Sequence, residues 1–181
     1  CIDHCLRTNH LGILCKLDNE KAYDHVSWEF VMAILQKMGF PSKWRTWIFF
    51  CISTVRFSVL INGEASGFFP SSRGLHQGDP LSPLLFILVM KGLSKLVYKA
   101  CEVGLLEGFQ VGNPLSRGLL VSYLLFADET LLFCRPYESD LGYLRCVLLL
   151  FEAMSGVRVN LSKSLSFQLG RFLIFIIWHL S

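Results

Sequence analysis

Charge is scarce in this sequence, and so are the signatures of chains that do not fold as compact domains. Asp, Glu, Lys and Arg make up 17% of the 181 residues against 52% hydrophobic, a balance that excludes a disordered chain. The most apolar runs, PLLFILVM (83–90) and FLIFIIWHL (172–180), fall far short of the roughly 20 residues a membrane-spanning helix needs, so no membrane partner is expected. No Cys-x-x-Cys pair occurs, and the seven cysteines (Cys1, Cys5, Cys15, Cys51, Cys101, Cys134, Cys146) are odd in number and scattered. They read as buried free thiols in a reducing compartment rather than a disulfide framework. Cys1, His4, Cys5 and His10 crowd one segment, but their spacing matches no common zinc finger. Signal peptide, internal repeats and low-complexity tracts are also missing. The first residue is not methionine, which points to a piece of a longer protein. A mean hydropathy of +0.47 suits such a piece with interface surface exposed.

What is present fits one domain with a substantial core. A net charge of +3 permits a nucleic-acid partner without arguing for one. GILCKLD (12–18) reads as a buried strand ending in an acid. SWEFVMAILQKMGF follows as a helix, with Ser27 as N-cap, Val31, Ile34, Leu35 and Met38 on one face, and Gly39 then Pro41 as the stop. SKWRTWIFFCIS is expected as a second helix. VRFSVLINGEASGFF carries Asn62-Gly63 between two β-prone runs, the strongest short hairpin signal in the chain. The Gly-rich loop RGLHQGDPLSP leads into a long helix from about Ser82 to Ala100. A hairpin over YLLFADETLLF, a helix closed by Gly156 and a last strand pair in VRVNLSKSLSF complete the pattern. The mixed order predicts an α+β domain, a largely antiparallel sheet with helices on one face.

Asp18 ends one apolar strand, and Asp128-Glu129 stands where a second apolar hairpin reverses. Were the two strands neighbours, three hard oxygen ligands would converge, a set that suits magnesium and phosphoryl transfer. Taken alone, the same acids read more readily as a surface residue and a polar hairpin turn, since such turns routinely carry Asp. DNEKAYDHVSWE is not an EF-hand, because Tyr23 stands where glycine is required.

Four ordered segments, KLDNEKAYDHVSW, RGLHQGDPLSPLLFILVM, FADETLLF and VRVNLSKS, resemble reverse transcriptases of non-LTR (LINE-type) retrotransposons, most closely those of plants, over residues 12–168. The resemblance implies a polymerase palm that carries out RNA-directed DNA synthesis by nucleotidyl transfer onto a primer 3′-hydroxyl. It implies two Mg2+ ions held by catalytic Asp18, Asp128 and Glu129. Tyr23 matches the aromatic gate beneath the incoming sugar, Gln77 and Gly78 the nucleotide and template contact, and Lys163 the lysine near the departing pyrophosphate. Implied partners are an RNA template, a DNA primer, deoxynucleoside triphosphates and the rest of a longer polyprotein, within the nucleus or cytoplasm.

Two departures stand out. The family pattern is a pair of aspartates, whereas Glu129 follows Asp128 here and moves one carboxylate outward by a methylene. Only 17 residues precede Asp18, so complete fingers are not expected, and family-like sequence stops after Ser166, so neither is a thumb. The organisation predicted is a partial reverse transcriptase domain over 1–170 and an atypical apolar tail over 171–181. Alternatives are a nucleic-acid-binding palm without catalysis and a translated retrotransposon remnant.

Overall fold

The structure is a computed structural model that describes residues 12–111, 119–126, 129–160, 164–169 and 174–176. The chain forms two compact units, one of Cys1–Glu20, Leu93–Glu152 and Arg158–Ser181, the other of Lys21–Gly92 and Ala153–Val157.

The first unit is built on a sheet whose central strand is β1 (Gly12–Glu20). β2 (Arg56–Ile61) and β3 (Glu64–Pro70) belong to the second unit, while β4 (Phe109–Val111) and β5 (Leu119–Val121) form a small separate pair in the first. β6 (Tyr123–Phe126) and β7 (Glu129–Cys134) are the predicted hairpin, and β7 lies antiparallel to β1 from Ile13↔Cys134 to Asp18↔Glu129. β8 (Arg158–Val159) and β9 (Leu165–Leu169) both pair with β1 rather than with each other, correcting the expected strand pair. β10 (Ile174–Ile176), within the segment expected as a tail, pairs with β9, giving the order β10-β9-β1-β7-β6. All these pairings are antiparallel.

Alternation decides which face is buried. Ile13, Cys15 and Leu17 of β1 and Thr130, Leu132 and Cys134 of β7 are all at most 3% exposed. The hydrogen bond with Cys134, and then burial, push the Cys15 thiol far above its ordinary range, so it stays a protonated core residue. Buried Leu93 and Val97 come from helix α3 (Leu81–Glu102), and Leu144, Leu148 and Phe151 from α4 (Glu138–Ser155), each at the three- and four-residue spacing of one helical stripe. Asp140 in the first turn of α4 is 1% exposed and receives Arg135 Nε at 3.0 Å and Nη2 at 3.2 Å, which ties the end of β7 to the helix start.

In the second unit α1 (Trp28–Lys37) is capped as predicted, Ser27 Oγ accepting from Phe30 N, and it buries Val31 and Leu35. Met38, expected on that face, is instead exposed at the helix end. Helix α2 (Ser42–Ser53) packs against α1, with the Trp28 and Phe49 rings edge to face at 6.2 Å. Asn62 and Gly63 both take positive φ (48° and 86°) between β2 and β3, the backbone a two-residue type I′ hairpin demands. The start of α3 is fixed by Asp79, whose Oδ1 accepts from Leu81 N at 2.8 Å, so the cap falls before the expected Ser82. By length and composition α3 is apolar enough to cross a membrane, with 44% of its most apolar window buried. A buried core helix passes the same test, and the single Lys, Gly and Ser residues within α3 hide its length from a count of uninterrupted apolar runs. Among the described cysteines Cys15 and Cys134 are buried, whereas Cys51 and Cys146 are exposed; all are free thiols.

Candidate active site

β1 and β7 place Asp18 directly opposite Glu129. Side chains so paired share one face with Cβ atoms about 4.5–5.5 Å apart. This is the face opposite the Cys15 and Leu132 side. It is closed farther along by Leu14 (7% exposed) and Phe133 (4%), and opens at the strand ends, where Asp18 is half-buried and the Glu129 side chain is 43% exposed. Glu129 is therefore a strand residue, not part of the turn expected at the doublet.

The backbone of Asp18 is held on its other side by the segment after β8. Its carbonyl accepts from Asn160 N at 2.7 Å, and its N–H donates to Ser164 Oγ at 3.3 Å. Ser164 Oγ in turn donates to the Asn160 carbonyl at 2.7 Å. Nothing local in NLSKS, the segment that carries Lys163, signals this clamp. Lys16 was also missed. Two residues before Asp18 on a strand, it shares the acidic face, and its Nζ lies 2.7 Å from Glu129 Oε1. The lysine of CKLD at that spacing was the available signal.

The second unit holds Tyr23, Gln77 and Gly78. Tyr23 is half-buried, its ring 4.8 Å from that of Phe86, and its carbonyl accepts from Leu75 N at 2.8 Å. Gly74 follows this link in reverse: with φ +85°, an added Cβ there would stand 2.6 Å from the Asp24 carbonyl oxygen. The loop 71–77 must therefore run against residues 23–26, which Trp28 reinforces by donating to the Gly74 carbonyl at 2.6 Å. Gln77 is exposed and lines a cavity of about 320 Å³ together with Asp24, Phe57, Arg73 and His76, while Tyr23 is not among its walls. The Phe57 and His76 rings stack there at 6.0 Å. Gly78 has φ +99° and open space around it, room for close backbone approach. Asp128 and Lys163 lie outside the described residues.

Residues 2–177 match the family of reverse transcriptases (RNA-dependent DNA polymerases). The chain belongs to the reverse transcriptase family. The retrovirus-related Pol polyprotein from the type-2 retrotransposable element R2DM of Drosophila melanogaster is 30% identical over 166 residues, covering 90% of this chain and 15% of that protein. A mitochondrial protein of Arabidopsis thaliana is 51% identical over 71 residues, 39% of this chain and 56% of that protein. Apo telomerase from Candida tropicalis shares the fold with a TM-score of 0.63 at 14% identity, over 96% of this chain and 35% of that one. Telomerase from Candida albicans, solved in complex with a fragment of telomeric RNA, gives 0.61 over 99% and 29%. The match to this reverse transcriptase chain thus covers 15% of the Drosophila polyprotein and 56% of the Arabidopsis protein, less than two thirds of either.

Proposed function

We propose that residues 1–170 carry the palm of an RNA-directed DNA polymerase, which extends a primer 3′-hydroxyl with deoxynucleotides on an RNA template as part of a longer polyprotein. The observation that supports this best is the direct opposition of Asp18 and Glu129 at the open end of the sheet, in a chain of this family. The donor set fits magnesium: hard carboxylate oxygens, partly solvated, with room for waters and substrate phosphates. Asp18, Asp128 and Glu129 would hold two such ions, which when bound stabilise the attacking and leaving oxygens of an in-line displacement.

The chain's own residues do the rest. The clamp from Asn160 and Ser164 fixes the Asp18 backbone, so its carboxylate is aimed by the fold rather than by its ligand. Tyr23, braced by Phe86 and Leu75, would set a flat ring under the incoming sugar and leave no space for a 2′-hydroxyl. Gln77 and Gly78 would contact nucleotide and template, and Lys163 the departing pyrophosphate.

A second reading, a palm that binds nucleic acid with little turnover, is favoured by Glu129 in place of the family's second aspartate. A displacement of about 1 Å at a catalytic centre can cost roughly 100-fold. The test is to graft residues 12–168 into a complete homologous reverse transcriptase and measure primer extension on primed RNA with magnesium and deoxynucleotides. Weak extension that rises 10- to 100-fold on Glu129→Asp and is lost on Asp18→Ala is expected. Extension untouched by Asp18→Ala would remove Asp18 from the site.

A further inference from the structure

We infer that Lys16 is a resident counter-ion of the acidic face and sets how tightly that face takes a divalent cation. This rests on the reading of Asp18 and Glu129 as metal-holding carboxylates. Like charges directly opposed across a sheet repel, and Asp18 faces Glu129 in this way. Lys16 pairs in register with Leu131, two residues beyond Glu129, so the lysine and the glutamate are diagonal neighbours on one face, a separation that long side chains bridge. They do so here, with Lys16 Nζ 2.7 Å from Glu129 Oε1.

The length of Glu129 matters to this contact. Its extra methylene, relative to the aspartate of the family pattern, lets the carboxylate swing along the strand to the ammonium. A divalent ion shared by Asp18 and Glu129 competes with Lys16 for the Glu129 carboxylate and sits within a few ångströms of a positive charge. The side chains of Lys16 and Glu129 are 37% and 43% exposed, so water screens the pair and its effect on folding is slight. A doubly charged ion feels the same ammonium twice over, so the effect falls on cation affinity. Lys16 is thus a positioning residue. It holds Glu129 in the metal-free protein and weakens the ion's grip when it arrives.

The experiment titrates the 181-residue chain with Mn2+, free ion being followed by electron paramagnetic resonance and folding by circular dichroism. Lys16→Gln should bind roughly tenfold more tightly than wild type, the size expected for one nearby charge at intermediate dielectric. Lys16→Arg, which keeps the charge, should stay near wild type. Lys99→Gln, which removes a lysine of helix α3 paired with Glu102, should change nothing. Equal affinity in wild type and Lys16→Gln, with binding still lost in Asp18→Asn, would overturn the role of Lys16 and leave the metal reading intact. No binding in any variant would sink the metal reading and this inference together. Should Lys16→Gln fail to fold, Glu129→Asp decides: its shorter arm draws back from Lys16 and should also bind more tightly, and no tightening refutes the inference.

Discussion

Gly156 ends α4 with φ +76°, and an added Cβ would collide with the carbonyl oxygen of His25. Close by, Ser27 N donates to the Ser155 carbonyl at 2.7 Å, so the backbone there is pinned and cannot retreat. Gly142, in the body of the same helix, is exposed and has nothing within 4 Å of an added Cβ. The two glycines should respond in opposite directions. Gly156→Ala should cost about 1–3 kcal/mol, since it forces a strained left-handed residue against backbone. Gly142→Ala should stabilise by about 0.5–1 kcal/mol by removing a helix-interior glycine. Urea denaturation midpoints separate the two, and equal shifts of one sign would contradict both assignments. Gly156 was legible as a helix stop from its place after EAMS. The collision with His25 was not, because it joins positions far apart in the chain.

At the scale of elements, the β2–β3 hairpin owes little to burial, since every residue of both strands is exposed. A two-stranded ribbon of this kind is only marginally stable by itself, so its turn carries an unusual share of its order. Gly63→Val places a β-branched residue at φ +86° and should release the hairpin. Hydrogen exchange across residues 56–70 should then accelerate, while protection in β1 and β7 is unchanged. If exchange in the hairpin were unaltered, contacts other than the turn would be holding it. Local chemistry made this element readable, as it did α1 with its Ser27 cap and α2. β4 and β5 were not read, being three-residue strands too short to show a period.

Across the whole molecule the notable feature is apolar surface. Phe50 (66% exposed), Leu60 (71%) and Phe68 (75%) stand out on α2 and the hairpin, with Trp44 and Trp47 also exposed on the same helix. Exposed apolar side chains of this size favour association, and the isolated chain is expected to self-associate. Replacing Phe50, Leu60 and Phe68 with Lys should lower light scattering and leave the thermal midpoint within a few degrees, because none of the three is in the core. A triple variant that unfolds would show that these residues are covered in the folded protein. By itself, the sequence determined the local elements, the α+β class and the motifs of the reverse transcriptase family, since caps, turn residues and alternation act over a few residues. Only the tertiary structure decided that β8 and β9 both flank β1, that Asp18 meets Glu129 in register, and that Lys16 reaches that carboxylate. Those outcomes depend on which strands become neighbours, and strand pairing joins residues more than a hundred positions apart that no local pattern links.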